Sequence, residues 1–439
     1  MKTYFLKLER ILNSQDFRLV FPNISWLLVE KLLRIPLGLF VIAAIARYLG
    51  PEDYGRLNLA LALASVFAAA ERLGLGQPAT QELVENKDEH GALVGTTLGL
   101  QVAGGIIAAS LATATSFITY FERGQLITLL VLLISIGGIF RSSTAFRYWL
   151  EANNLARFAA AAEGLAFLIS SAGKLILVYF AAPLFTFALF SAIEAMICAA
   201  IMTLTYKKHV KGEGALVFHR GTALRLLSRS WPLLLTSVLV IFYMRIDQIM
   251  LGILRTPKDV GLYAAAVRIS EFFFFIPTAV IAAIYPTLLK KRVSDRDYYN
   301  RQLQRIFTFL TWLSIAFALL VSLTSNITIP LIFGETYQAS SVVLIILSWN
   351  AVFVTIRLAS GPWLVAEGLE RLSLARAMAA AAMNICLNLL LIPPFGIIGA
   401  AISTLISSSI AALWIDLAHP RTRSIFAVKF RAFLFKFPH

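Results

Sequence analysis

Apolar runs of roughly twenty residues recur along this 439-residue chain, centred on 24–46, 57–80, 93–116, 125–146, 158–180, 184–206, 231–254, 264–289, 306–330, 339–362, 373–393 and 396–417. A run of that length crosses the ~30 Å hydrocarbon layer of a bilayer as one helix. The chain therefore reads as an all-α polytopic membrane protein with about twelve transmembrane helices. Composition agrees: 59% of residues are hydrophobic and 14% charged, whereas a water-soluble surface takes about a quarter of its residues charged.

Basic residues orient the spans. With the N-terminus in the cytoplasm, the cytoplasmic segments hold 26 of the 39 Lys and Arg, Arg376 at the start of its span counted among them, and the outer loops hold five: Arg47, Arg56, Arg123, Arg255 and Lys258. An error of one span would scramble this alternation. Both termini are thus expected on the cytoplasmic side of a bacterial-type inner membrane, and the excess of bases orients the chain rather than recruiting nucleic acid. Leu6 to Phe21, with Lys7, Arg10 and Arg18, is too short and too charged for a signal-peptide core and reads as an interfacial segment. The expected organisation is an N-terminal segment 1–22, a six-helix lobe 23–206, a basic linker 207–230, a second six-helix lobe 231–417 and a basic tail 418–439.

Two internal matches support the lobes. Pro51 to Gly55 and Pro257 to Gly261 share P-x-D-x-G, 206 residues apart, and Trp149 to Arg157 and Trp363 to Arg371 share W-L-x-A-x-x-L-x-R, 214 apart. Each offset spans six helices, so the halves are parallel repeats about an axis along the membrane normal, as in many transporters. Turn chemistry accounts for the first motif: Pro and Gly stop one helix and Asp caps the next. The second is expected to be an interfacial anchor, its alternative being a gate. Gly95 and Gly99, spaced G-x-x-x-G, permit close helix contact. Pro36, Pro277 and Pro362 are expected to interrupt their helices.

Charges within the spans carry the functional signal, because each costs about 2.5–3.5 kcal/mol at a helix centre unless paired, hydrated or used. Glu30 with Arg34, and Arg268 with Glu271, can pair on one helix face; Arg141, Lys174 and Arg357 have no acid three or four residues away and need partners on other helices. The surplus of bases implies a central cationic cavity and an anionic cargo. Its candidate lining is Lys31, Arg34, Arg141, Lys174, Arg245, Arg268 and Arg357, with Glu30, Glu71, Asp247 and Glu271 balancing charge or coupling transport to a proton or sodium gradient. No cofactor is implied. The two cysteines and five histidines offer no metal site, no phosphate-binding G-x-x-x-x-G-K-[ST] loop is present, and no loop is large enough for an outer catalytic domain. Transport is expected rather than catalysis.

The stretches Arg47 to Gly55 (RYLGPEDYG), Asp247 to Gly252 (DQIMLG), Val260 to Ala266 (VGLYAAA) with Pro286, and Gly396 to Ala401 (GIIGAA) resemble the polysaccharide transporter family. These are flippases of lipid-linked oligosaccharides, related to the lipid II flippases and the multidrug and toxin extrusion transporters. The resemblance covers nearly the whole chain and implies two six-helix lobes around a cationic cavity. It further implies export of an undecaprenyl diphosphate-linked repeat unit for O-antigen, capsule or exopolysaccharide assembly. Membrane lipids, and polymerase and chain-length proteins of the same pathway, are the partners it suggests. The lipid II flippases carry two helices more. A cation-coupled multidrug antiporter and a membrane-embedded polymerase or ligase are the alternatives.

Overall fold

The computed structural model describes residues 15–86, 89–121, 125–210 and 215–434, apart from the side chains of 15–33, 35, 286, 287, 290, 291, 293, 370, 371 and 374. Among these residues there is no strand. The helices are α1 (Gln15–Glu71), α2 (Gly76–Glu85), α3 (His90–Tyr120), α4 (Leu126–Arg141), α5 (Thr144–Ala152), α6 (Ala156–Tyr179) and α7 (Leu184–His209). After these come α8 (Arg220–Leu254), α9 (Pro257–Phe273), α10 (Phe275–Ser294), α11 (Arg296–Phe333), α12 (Ser340–Ala366), α13 (Glu370–Ala412) and α14 (Arg423–Phe433).

Ten stretches among the described residues are long and apolar enough to cross a membrane. Two of them, Pro36–Glu85 and Ala375–Ala418, are 50 and 44 residues long, far more than the ~20 residues one crossing needs. Each contains a break at a glycine: Gly50 has φ 68° and Gly396 φ 54°, a left-handed region that costs glycine little. Counting both arms of each gives twelve candidate crossings among the described residues.

Several boundaries depart from the sequence expectation. The span placed at 57–80 is broken by a turn at 72–75, where Gly74 (φ 65°) closes against the backbone of Ser230 and Leu234. The span placed at 264–289 breaks at Phe274, inside the four-phenylalanine run, with Pro277 in the first turn of the next helix. Pro36 and Pro362 lie inside continuous helices instead of interrupting them. Most of the interfacial segment at 6–21 lies outside the described residues. Gly95 and Gly99 receive no helix; they make room for the extended segment 215–219, whose His219 N–H donates to Thr96 Oγ1 at 2.9 Å.

The chain forms two compact units, 1–45 with 63–238 and 46–62 with 239–439. The stretch 46–62, counted with the first six helices on sequence, belongs to the second. In the first unit α3 packs on α4, and α7 on both α4 and α6. Residues 220–230, assigned to the linker on sequence, are helical, and their Arg225 and Arg229 reach the buried Glu82 at 3.1 and 3.3 Å. In the second unit α12 packs between α11 and α13, and α14 lies along α11.

Both repeat motifs have a physical job. At the second one, helices α5 and α12 end on left-handed residues, Asn154 (φ 59°) and Gly368 (φ 66°). In each, the following leucine closes the helix: Leu155 N–H donates to Leu150 O at 2.7 Å, and Leu369 N–H to Leu364 O at 2.8 Å. This is the Schellman pattern, its two leucines making the apolar contact that accompanies it. Trp149 and Trp363 each sit in the hydrophobic cluster beside the cap.

The P-x-D-x-G glycines, expected to stop helices, lie inside them. Helix starts fall at Pro51 and Pro257, and Asp259 is the third residue of a capping box whose N-cap is Thr256. A Cβ on Gly55 would overlap the Pro257 carbonyl, and one on Gly261 the Pro51 carbonyl. The two copies of the motif thus meet reciprocally inside the second unit, each glycine seated on the other's proline. Arg47 and Arg255 cap exposed helix ends nearby: Arg47 donates to Ile332 O (2.9 Å) at the end of α11, and Arg255 to Pro393 O (2.6 Å) before the Gly396 break.

A second organising contact lies at the C-terminus. Asp416 is buried between Arg376, with which it is in contact, and Lys429, whose ammonium stands 2.7 Å away and also donates to Ala412 O. Two cations share one anion. Burial, together with Arg376, pushes the Lys429 amine down to about 8 from 10.5, against the opposing pull of Asp416.

Two outcomes are expected. Gly261→Val should lower the unfolding temperature of the detergent-purified chain well below that of an exposed glycine control such as Gly221→Val, because backbone contact leaves no room for a side chain; equal melting would contradict the reciprocal contact. The Lys429 shift sets a pH dependence. Between pH ~8 and ~10.5 the unfolded chain holds a proton the folded chain has released, so stability rises with pH across that window. Relative to Lys429→Met, the wild type should gain up to about 3 kcal/mol there, read as a pH-dependent difference in unfolding free energy; a flat difference would refute it.

Candidate functional site

The sequence-selected charges fall into separate clusters. In the first unit, Glu71 at the end of α1 is buried and faces Arg141 of α4 at 3.6 Å. Gly138 makes this approach possible, since a Cβ there would stand 2.7 Å from the Glu71 carboxylate. Lys174 of α6 pairs with Glu194 of α7 at 2.8 Å, and Ser170 donates to the same carboxylate oxygen at 2.7 Å. Arg147 bridges Glu151 and Glu163, both at 2.7 Å. The Arg34 guanidinium lies over the Phe167 ring, 5.0 Å from its centroid. Arg141 and Lys174 therefore find across the bundle the acids their own helices lack, and the resulting pairs are close to neutral. The side chains of Glu30 and Lys31 lie outside the described residues.

In the second unit, Glu271 of α9 accepts both Arg245 of α8 (3.4 Å) and Arg268 of its own helix (3.9 Å). Two half-buried guanidiniums on one carboxylate leave a net positive charge. Arg357 of α12 has no carboxylate within ion-pair distance among the described residues. Its guanidinium stands 5.6 Å from the Tyr243 ring centroid, a cation–π contact, and its Nε is buried without a hydrogen-bond acceptor. Tyr243 is fixed in turn by Ser408, 2.9 Å from its hydroxyl.

Asp247 lies two residues beyond Arg245 on α8 and faces elsewhere. It is 6% exposed. Its Oδ1 accepts from Asn388 Nδ2 at 2.7 Å, and its Oδ2 accepts from Thr404 Oγ1 at 2.6 Å and Tyr263 OH at 3.0 Å. Asn388 also donates to Asn384 Oδ1 (3.0 Å), while its own carbonyl oxygen is buried with no partner. Among the described residues no base stands within ion-pair distance of Asp247. A buried carboxylate thus accepts from an amide and two hydroxyls, with no positive charge beside it among the described residues. That is a hard-oxygen environment, suited to a small cation or a proton.

Sequence reasoning missed the ring around Asp247. The signal was present: Asn384 and Asn388, spaced i,i+4, are amides on one face of a span built mostly from Ala, Leu, Ile and Met. Tyr243 and the Arg376–Asp416–Lys429 cluster were also passed over, the first because an aromatic in a span reads as packing.

Residues 20–291 match the family described as "Polysaccharide biosynthesis protein", well over half the chain. The chain belongs to that family. Among its relatives is the probable flippase AglR of Haloferax volcanii, 28% identical over 299 residues, or 65% of this chain and 60% of AglR. The match thus spans less than two thirds of that relative's length. Among solved structures, the lipid II flippase MurJ in an inward closed conformation superposes with a TM-score of 0.68 at 17% identity, covering 93% of this chain and 90% of MurJ. A multidrug resistance MATE-family transporter, inward-facing, gives 0.66 at 15% identity over 90% of this chain and 96% of its own. At such identities the likeness is one of fold, and the fold is the two-lobed, all-helical architecture of multi-pass membrane transporters.

Proposed function

We propose that this member of the polysaccharide biosynthesis family is a flippase, not an enzyme, and that it carries a polyprenyl diphosphate-linked oligosaccharide across the inner membrane with both termini in the cytoplasm. An undecaprenyl carrier and an O-antigen, capsule or exopolysaccharide repeat unit are the finer form of the proposal. Membrane lipids, and polymerase and chain-length proteins of the pathway, are its proposed partners. Family membership and the flippase relative support the class of activity. The observation that carries the residue assignment is Arg357, a cation within a span that has no acid partner among the described residues and whose Nε lacks an acceptor. A diphosphate supplies what it lacks. Arg245 and Arg268, with only Glu271 between them, extend the positive charge. In this proposal Arg34, and Lys31 beside it in sequence, act on the same cargo, whereas Arg141 and Lys174 serve mainly to neutralise Glu71 and Glu194.

Asp247 is the proposed coupling group. Its charge is held by neutral donors alone, so binding a proton or sodium ion there removes an uncompensated negative charge, and the arrangement of Asn388, Asn384 and Thr404 changes with it. Glu71 and Glu271 already face arginines and are assigned charge balance; Glu30 is grouped with them.

Two measurements test these roles. Arg357→Ala should cut transfer of the lipid-linked glycan to the outer leaflet by roughly 10–100-fold, the loss of one or two charge-assisted contacts, at unchanged membrane abundance, with Arg357→Lys recovering part of it. Transfer is read from accumulation of the complete lipid-linked unit on the cytoplasmic leaflet, and normal export would remove Arg357 from the site. Dye efflux by the wild type with an unchanged lipid pool would instead favour a drug antiporter. For Asp247, sodium or a drop in pH should raise the unfolding temperature of the wild type and leave Asp247→Asn unmoved; equal responses would end its coupling role.

A further inference from the structure

A polar cavity of about 300 Å³ lies inside the second unit, where the α10–α11 junction, the end of α12 and the turn Pro420–Thr422 converge. Three arginines line it: Arg292, Arg296 and Arg421. Arg292 is held by Glu367, with its Nε 3.1 Å and its terminal nitrogen 3.0 Å from one carboxylate oxygen. Arg296 and Arg421 are exposed and have no carboxylate within ion-pair distance among the described residues. Trp363 forms a wall beside the Tyr299 side chain, which is 2% exposed and whose hydroxyl stands beside that of Tyr285.

The internal repeat supplies a comparison. Trp149, the counterpart of Trp363, is sealed: its indole N–H donates to His90 at 3.1 Å, and Tyr206 packs edge-on at 5.0 Å. In the second copy the same tryptophan borders an open space with three guanidiniums around it. Like charges gathered about a void repel one another, and among the described side chains the one carboxylate lining it, Glu367, offsets only one of them. An anion inside the cavity would offset the remaining positive charge.

We propose that this cavity binds the phosphate of an anionic membrane lipid's head group. Guanidiniums on three separate segments suit a tetrahedral oxyanion, which can accept from several forks at once. Asn300 and Ser424 add neutral donors at the rim. The source is a lipid because exposed aromatics stand close by in the chain: Trp414 is 55% and Phe430 51% exposed, with Leu434 at 54%. Aromatic side chains exposed in this way next to basic residues mark the bilayer interface. Glu367 tunes the site, since it holds Arg292 in place while opposing the ligand's charge.

The test is native mass spectrometry of the full-length chain, purified in neutral detergent and titrated with phosphatidylglycerol. The wild type is expected to retain the lipid, Arg296→Gln/Arg421→Gln to bind it at least roughly tenfold more weakly, and Glu367→Gln to bind it more tightly. Lys207→Gln/Lys208→Gln removes the same charge from exposed positions elsewhere and should bind as the wild type does. Equal retention by the Arg296/Arg421 variant, or an equal loss in the Lys207/Lys208 control, would overturn the site. Inorganic phosphate provides the other arm. If it raises the melting temperature of the wild type but not of the Arg296/Arg421 variant, and phosphatidylglycerol is not retained, the site takes free phosphate and the lipid assignment fails.

Discussion

A charge in hydrocarbon must be answered by another charge, a dipole or water, and nearly every arrangement described here follows from that demand. It explains why Lys174 and Glu194 stand on neighbouring helices, and why Arg141 reaches Glu71 past a glycine that leaves it room. The same demand governs helix ends. The carbonyls that close α11 and the first arm of α13 would be orphaned, and Arg47 and Arg255 answer them. These two bases are among the few on the outer side of the expected topology. Their presence there weakens the charge asymmetry that orients the chain, and capping is the compensating gain.

The repeats show what duplication preserved. Identical Schellman closures on Asn154 and Gly368 keep the register of two helices 214 residues apart. The paired glycines of P-x-D-x-G do something that neither copy can do alone, because each is the other's packing partner. A glycine selected for a turn tolerates a neighbour's movement; a glycine pressed on a carbonyl does not. The motif therefore fixes the distance between the two helices it begins.

Helix number, class and repeat were legible from sequence because they rest on period and length, which a single chain displays. The need of Arg141, Lys174 and Arg357 for distant partners was also legible, since absence of an acid at i±3 and i±4 is a local fact. Which acid Arg141 and Lys174 would find, and that Arg357 would meet a tyrosine ring instead, was not, because that depends on helix rotation. Linker and helix were confused at 220–230 because Arg225 and Arg229 look solvated until Glu82, more than 140 residues away, is placed beside them. The ring around Asp247 was hidden for a different reason: it is built from Asn, Thr and Tyr, residues common in packed spans, and only their convergence gives them meaning.

The acids of the spans are answered in two ways, and the difference bears on where energy can enter. Glu71 and Glu194 each face a base, so adding a cation or a proton would have to displace an existing positive charge. Asp247 faces three neutral donors. Neutral donors can turn and release a carboxylate at modest cost, while an ion pair in a low dielectric resists separation. A switch driven by an ion needs a site whose charge changes when the ion arrives. Of these three acids only Asp247 meets that condition, and its partners sit on α9 and on both arms of α13, so filling or emptying it bears on three helical segments at once.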